Sequence, residues 1–303
     1  MIKSVTIKNS FGDVVRMVLG EVEPYSGLLI TSIDGLGPVK ADINLTDIAT
    51  QDGSNYNSSR ANKRNIVLHV AFTYANTIEE VRQSTYRYFP LKDKVLFQIE
   101  TDNREAEVYG YVESNDPDIF SDFETATISI LCESSWLTAS GDGGKQEIPF
   151  SDINSLFEFE FADDNSPSII FSEIEIKGEK IITYRGETET GIVMSIFAED
   201  AFTFPTIYNN ITRESMTIDT DKVAVIVGSP IRTGDEIQIS TIRKDKYIRF
   251  IREGISYNIL NALDKDAAWF TIHPGDNIFS YTCRTGNLNV FFKIVTQILY
   301  QGV

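Results

Sequence analysis

The chain has 303 residues, a length that favours two domains over a single core. Its hydrophobic and charged fractions, 42% and 23%, are those of an ordinary globular protein and exclude a disordered chain. The net charge of -17 counts against nucleic acid as the primary partner, because phosphate binding needs a positive field.

The first part of the chain consists of short apolar runs broken by turns. Strand-like alternation begins at the N-terminus, without the apolar core of a signal peptide, and no apolar run is long enough to span a bilayer. We therefore expect a protein made in the cytoplasm, with no membrane partner. Strands are predicted at Val5 and Ile7, over 14–19 and 28–30, and through Ala41, Ile43 and Leu45.

A polar segment between Asp52 and Arg64 interrupts this pattern. It is rich in Asn and Ser, lacks apolar periodicity, and opens on Asp52-Gly53, a usual entry to a tight turn. Its end is basic, with Arg60, Lys63 and Arg64. We predict a long loop, followed by a strand that places Ile66, Leu68, Val70 and Phe72 on one face.

One helix is predicted in the first half, over residues 78–89. Thr77 and Glu80 fit a capping box, in which each side chain satisfies an amide of the first turn, and Pro90 ends the run. One face mixes aromatic and basic side chains, which suits a subunit contact and a helix packed on its own sheet equally well. These side chains are Arg82, Tyr86, Arg87 and Tyr88.

The remaining pattern divides the chain into two domains. A first domain over 1–137 closes with strands at 95–99, 108–112 and 123–132, and a small, polar linker is predicted over 138–147. In the second domain, over 148–303, apolar runs and turns predict an antiparallel β-sandwich. The runs cover 156–161, 169–176, 192–197, 216–218, 223–227, 237–239, 247–251, 269–272 and 288–294.

The sequence contains no specific catalytic or metal-binding motif. His69 and His273 do not lie near a nucleophile elbow, and zinc-ligand spacing is absent. Cys132 and Cys283 are expected to be buried, reduced thiols. The acidic stretch 158–164 is typical of a solvated strand edge and lacks the spacing of a calcium loop. We therefore predict no cofactor and no bound metal.

A second basic cluster interleaves cations with aromatic residues. Its members are Arg243, Lys244, Lys246, Tyr247, Arg249, Phe250 and Arg252. This pattern occurs in sites for single-stranded nucleic acid, but a solvated turn or salt bridges to an acidic neighbour require fewer assumptions. A carboxylate pair for glycoside hydrolysis stays open, because separation in space defines such a pair. Without a catalytic motif, a structural or binding protein is favoured over an enzyme.

Several short motifs follow one another in a set order. They are Ile33-Asp34-Gly35-Leu36-Gly37-Pro38, Asp52-Gly53-Ser54-Asn55-Tyr56, Arg64-Asn65-Ile66-Val67-Leu68, Gly186-Glu187-Thr188-Glu189-Thr190-Gly191, Pro205-Thr206-Ile207-Tyr208-Asn209, Gly234-Asp235-Glu236-Ile237-Gln238-Ile239 and Pro274-Gly275-Asp276-Asn277-Ile278. In this order the chain resembles the distal tail protein family of tailed bacteriophages over nearly its whole length. Each motif is short and degenerate, so the order carries the resemblance.

The resemblance implies a mainly β protein. Its N-terminal ring domain would be a tail-tube-like β-sandwich or barrel with one helix, and its C-terminal domain a galectin-like antiparallel β-sandwich. Members of the family form hexameric rings at the tail tip, which join the tail tube to a tail-associated fibre or hub protein and often carry receptor-binding proteins. The family is not catalytic. The resemblance thus implies a location in the virion tail, with DNA only passing through the channel of an acidic ring.

Within such a ring, we expect the polar loop to contact a neighbouring subunit. Arg60, Lys63 and Arg64 would meet acidic groups there, and the helix would add Arg82, Tyr86, Arg87 and Tyr88. The alternative function is a carbohydrate-binding module for adsorption to the host cell wall, although a sandwich fold alone does not establish sugar binding. A cell-wall hydrolase ranks third.

Overall fold

The computed structural model describes residues 1–19, 26–50, 52–73, 77–120, 123–141, 144–155, 172–176 and 178–303. For 151–155 and 172–176 it describes the backbone only. The chain divides into a first unit, Met1–Gly144 with Leu299–Val303, and a second unit, Lys145–Ile298.

The first unit is built on one large antiparallel sheet. The strands of the first unit are β1 Ile2–Asn9, β2 Val14–Val18, β3 Leu28–Asp34, β4 Ala41–Asp47, β5 Ser54–Ala61, β6 Asn65–Phe72, β7 Lys94–Thr101, β8 Glu105–Asp118, β9 Thr125–Cys132, β10 Leu137–Ala139 and, from the chain end, β23 Leu299–Tyr300; its helix is α1 Ile78–Tyr88. All of these strands except β4 and β5 belong to the large sheet. The sheet runs β2-β1-β7-β8-β9-β6-β3, with β10 between β8 and β23.

This sheet curls around the core of the first unit. Its two end strands, β2 and β3, are consecutive in sequence and approach each other, as in a sheet that rolls towards closure. Ile66, Leu68 and Val70 are fully buried on one face of β6, which confirms the predicted alternation.

Helix α1 packs against this sheet and confirms the predicted capping box. Thr77 Oγ1 accepts a hydrogen bond from the Glu80 amide, and the Glu80 carboxylate accepts one from the Thr77 amide, both at 3.3 Å. Val81, Thr85 and Phe89 form the buried side of the helix. The predicted range, 78–89, differs from the observed one by a single residue.

Replacing Thr77 with alanine is expected to lower the free energy of unfolding by about 1 kcal/mol, because the Glu80 amide loses its cap. Glu80→Gln is the matched control, since glutamine also serves in a capping box and should change stability by only a few tenths of that amount. Chemical denaturation of the first unit measures both variants. Equal losses in the two would contradict the capping account.

The predicted loop over 52–64 is wrong. Residues Ser54–Ala61 form β5, which pairs with β4 in a hairpin. Asn44 Nδ2 donates to Ser58 Oγ at 2.9 Å, and Ser54 Oγ donates to Asp47 Oδ1 at 2.7 Å, so polar side chains link the two strands. The apolar periodicity of a buried strand is missing because nearly every side chain of the hairpin is exposed.

The predicted linker over 138–147 contains strand residues at both ends. At one end β10 pairs with β8 and β23, and at the other end β11, Lys145–Pro149, begins. The return of Leu299–Val303 to the first unit was not predicted, because a two-residue strand leaves no periodic signal.

The second unit is an antiparallel β-sandwich. Its strands are β11, β12 Ser151–Ser155, β13 Ser172–Ile176, β14 Glu179–Tyr184, β15 Ile192–Ala198, β16 Thr206–Asn209, β17 Glu214–Thr217, β18 Glu236–Ser240, β19 Tyr247–Arg252, β20 Ile255–Asn258, β21 Gly275–Thr282 and β22 Val290–Gln297; its helix is α2 Thr220–Val227. One sheet runs β11-β22-β15-β18-β19-β20, the other β14-β21-β16-β17, and β12 pairs with β13.

Aromatic side chains fill the core between the two larger sheets. Phe292 lies 4.7 Å from Phe150 and 5.2 Å from Tyr281 between ring centroids, so residues of both sheets meet there. The predicted fold class, mainly β with an antiparallel sandwich in the second half, is confirmed.

Two predicted strands of the second unit are wrong. Residues 223–227 belong to α2, which Asp219 caps by accepting hydrogen bonds from the amides of Asp221 and Lys222, and which Gly228 ends at φ 87°. Its β-branched residues favour strands, but the caps and tertiary contacts outweigh that preference. Residues 269–272 make only an isolated bridge. The predicted strand 156–161, the first three residues of the run 169–176 and the acidic stretch 158–164 lie outside the described residues, whereas 172–176 form β13 as predicted.

Both cysteines are free and buried. Burial raises the pKa of Cys132 and of Cys283 to about 11, from an ordinary value of 9.0. A thiol with a pKa of about 11 carries about a hundredfold less thiolate at pH 8 than one at 9.

We expect both thiols of the folded protein to react with a thiol reagent at pH 8 at least about tenfold more slowly than in denaturant. Rates measured with and without denaturant test this expectation. Equal rates in the two conditions would contradict it.

Candidate subunit-interface surface

The hairpin formed by β4 and β5 presents an exposed apolar face. Ile43 and Leu45 alternate along β4 and therefore share this face, and Tyr56 lies directly opposite Leu45. Their relative exposures are 58%, 56% and 64%. Large apolar side chains at this exposure usually mark a contact surface when they are neighbours. The sequence predicted a strand through Ile43 and Leu45 and a loop at Tyr56, and it gave no sign that the two strand residues are exposed.

The opposite face of the hairpin is polar and internally paired. Arg60 donates through Nε and Nη2 to Asp42 Oδ2, at 3.1 and 3.0 Å, and Asn62 Nδ2 donates to Asp42 Oδ1 at 3.0 Å. The hydrogen bonds from Asn62 and Arg60 hold the pKa of the Asp42 carboxyl below its usual value. The Arg60 side chain is 80% exposed, so this pair contributes little to stability.

The hairpin has open edges as well as an open face. Among the described residues, β4 and β5 pair only with each other. A two-stranded hairpin is marginally stable alone, and an open strand edge readily pairs with another chain. An exposed apolar face and open strand edges are together typical of a hairpin that packs against, or pairs with, another protein chain.

Arg64, which we predicted at a subunit contact, points into its own chain. Its guanidinium is fully buried and donates to four backbone carbonyls of its own chain. The acceptors are the carbonyls of Gly35, Gly37, Ser135 and Gln301. Burial lowers the pKa of Arg64, although the residue stays charged at neutral pH. Arg64 therefore holds the first unit together, and Arg60 and Lys63 remain as the exposed basic residues of this segment.

The predicted basic residues of α1 are also paired within the chain. Arg82 lies 3.4 Å from Glu124 and 3.8 Å from Glu79. Arg87 pairs with Asp13 and holds the pKa of that carboxyl below its usual value.

The two tyrosines of α1 differ in exposure. Tyr88 packs, partly buried, against the core of the first unit, whereas Tyr86 is 46% exposed. Of the helix residues that we predicted for an interface, Tyr86 and Arg87 are exposed, and Arg87 is paired with Asp13.

His69, one of the two histidines considered as catalytic candidates, contacts polar side chains of neighbouring strands. His69 lies on the outward face of β6, where its ring nitrogens are 3.2 Å from Thr127 Oγ1 and 3.4 Å from Asp34 Oδ2. In the part of the chain that the structure describes, no three metal-ligating side chains converge, and no helix is long and apolar enough to cross a membrane.

The fold, and not the sequence, relates this chain to known proteins. No protein-family model and no curated protein matches it. It is similar to the crystal structure of the phage SPP1 Dit protein (gp 19.1), described as a paradigm of the hub adsorption apparatus in phages that infect Gram-positive bacteria. The TM-score is 0.64 at 10% identity, over 97% of this chain and 99% of that one.

A second likeness is weaker. A chain of the phage P2 baseplate, in its activated conformation with Ca, aligns at 10% identity over 98% of this chain and 99% of that one. Its TM-score of 0.48 is too low for an argument. The likeness to SPP1 Dit confirms, at the level of the fold, the resemblance that the ordered motifs indicate.

Proposed function

We propose that this chain is a structural component of the tail tip of a phage, or of a phage-derived particle. In this role it forms a hexameric ring that connects the tail tube to the tail fibre or hub protein and carries receptor-binding proteins. The observation that supports the proposal most is the fold: the chain is similar over 97% of its length to a hub protein of a phage adsorption apparatus.

In the ring, the apolar face of the hairpin packs against the neighbouring subunit. Ile43, Leu45 and Tyr56 form the centre of this contact, and Arg60 and Lys63 lie at its rim. An apolar, aromatic centre with a polar rim is the usual anatomy of a protein–protein interface. Burial of the hairpin also satisfies its otherwise open strand edges.

The charge of the chain suits a channel for DNA. A net charge of -17 per subunit, repeated around a ring, gives a lumen that repels the phosphate backbone, so that the duplex passes without binding. The ring needs no catalytic residue or cofactor for this role. Its location is the virion tail, after synthesis in the host cytoplasm.

Mass photometry of the full chain tests the proposed assembly. The expected species has six times the subunit mass of 34.1 kDa. The hexamer should persist when the salt concentration is raised, because apolar burial and not ion pairing forms the centre of the contact. A chain that stays monomeric at every concentration, and also in the presence of tail tube protein, would overturn the proposal.

A further inference from the structure

The outer face of the six-stranded sheet carries an ordered row of polar side chains. Lys293, Ser195, Gln238 and Arg249 occupy directly opposed positions on the neighbouring strands β22, β15, β18 and β19. The residues that alternate with them, such as Ile239, Phe250 and Ile294, are fully buried on the other face. At about 4.8 Å between strands, the row is about 14 Å long.

Contacts within the row hold its long side chains in place. Arg249 donates through Nε and Nη2 to Gln238 Oε1, at 2.9 and 2.6 Å. Lys293 Nζ lies 3.4 Å from a carboxylate oxygen of Glu147 on the adjoining strand β11. Gln238 Nε2 also donates to Glu236 Oε1, at 2.5 Å, and Ser195 is only 4% exposed. The half-exposed amide, ammonium and guanidinium groups of Gln238, Lys293 and Arg249 are therefore the ones that offer hydrogen bonds to a polar chain laid across the strands.

One end of this row leads into the basic turn between β18 and β19. The Arg249 guanidinium stacks on Tyr247, 4.5 Å from the ring centroid, and Tyr247 directly follows the turn. Arg243, Lys244 and Lys246 of the turn are exposed, with Asp245 as the single acid among them. We call Arg249 and these three residues the basic face. In a chain of net charge -17, this local excess of cations is complementary to an anion.

The aromatic rings beside the basic face distinguish between two kinds of polyanion. Binding of single-stranded nucleic acid depends on bases that stack on open aromatic rings. Here Arg249 covers a face of Tyr247, and Lys246 lies 5.1 Å from the centroid of Trp269. A cation therefore lies against each of these two rings, which leaves less ring surface for a nucleic-acid base. The polar side chains of the row can instead form hydrogen bonds with the hydroxyl groups of a sugar.

We propose that the polar row and the basic face together bind an acidic polysaccharide, one that carries carboxylate or phosphate groups. The cations contact these groups, and Gln238 and Lys293 contact sugar hydroxyls. This site goes beyond the ring-forming role and lies in the second unit, whereas the hairpin lies in the first. Loss of binding and loss of assembly are therefore distinguishable in one preparation.

Binding of the full chain to four polymers tests the site. The probes are poly(glycerol phosphate), polygalacturonate, neutral dextran and single-stranded oligothymidylate, measured by biolayer interferometry at two salt concentrations. We expect binding to at least one of the two acidic polysaccharides, weakened by added salt, and little binding to dextran or oligothymidylate. The two acidic arms identify whether phosphate or carboxylate is recognised.

The double variant Arg243→Gln/Arg249→Gln removes two cations of the basic face and should weaken polysaccharide binding by about tenfold or more, since charge-assisted hydrogen bonds are lost. Lys40→Gln/Lys265→Gln is the control with the same change of charge at exposed positions elsewhere. Mass photometry shows whether assembly is retained. The proposal is overturned if neither acidic polysaccharide binds, if both double variants weaken binding equally, or if oligothymidylate binds more tightly than the polysaccharides.

Discussion

Arg64→Leu is expected to lower the free energy of unfolding of the first unit by at least about 3 kcal/mol. The substitution removes four part-buried hydrogen bonds from a charged donor to backbone carbonyls, and a hydrogen bond to a charged group contributes about 1.5–3 kcal/mol. Leucine is apolar and does not replace any of these hydrogen bonds. Because one acceptor is Gln301, the loss should also release the C-terminal residues from the first unit.

Scanning calorimetry measures this effect with two controls. The transition of the second unit is the internal control and should not move, because Arg64 and its acceptors all belong to the first unit. Arg60→Leu is the matched variant, since its exposed pair with Asp42 contributes less than about 1 kcal/mol. A first-unit transition that shifts equally in both variants would show that Arg64 is an ordinary surface arginine.

Ile43→Asp/Leu45→Asp is expected to abolish assembly of the ring. The two carboxylates would be buried without partners at the proposed contact, and an unpaired buried charge costs several kcal/mol at each interface. In the monomer both positions are more than half exposed, so the fold should stay intact. Mass photometry should therefore show only the single-chain mass, while circular dichroism remains that of the parent protein.

Val225→Asp is the control for this double variant. Val225 is 84% exposed on α2 of the second unit, outside the proposed contact. This substitution introduces a carboxylate at an equally apolar surface position and should leave the hexamer unchanged. If the hairpin variant still forms hexamers, the hairpin is not the subunit contact.

The sequence predicted correctly those elements that carry one strong local signal, such as a capping box or a regular alternation of apolar residues. The capping box at Thr77 and Glu80 predicted the helix, and the alternation from Ile66 to Phe72 predicted a half-buried strand. Strand β4 of the hairpin was predicted from Ala41, Ile43 and Leu45, whereas β5 was missed because its side chains are exposed on both faces and strand periodicity arises from burial on one face. The β-branched run 223–227 predicted a strand, whereas the cap at Asp219 makes these residues part of α2.

The role of Arg64 could be recognised only from the three-dimensional structure, although two of the sequence motifs contain Arg64 and two of its acceptors, Gly35 and Gly37. Gly35 has φ 84°, and a Cβ there would lie 1.9 Å from the Asn65 carbonyl oxygen, so this turn must approach β6 closely. The approach brings the carbonyls of Gly35 and Gly37 to the guanidinium. Two motifs of the family resemblance thus meet at one buried cation. Sequence alone shows that Arg64 is basic, and burial decides whether it points inward or towards a partner.

Negative-stain class averages of the purified chain show whether it forms a hexameric ring. We expect ring-shaped particles with six-fold symmetry and an open centre, and single-chain particles for Ile43→Asp/Leu45→Asp. Class averages of the parent protein without six-fold symmetry, at concentrations where particles are abundant, would contradict the proposed ring.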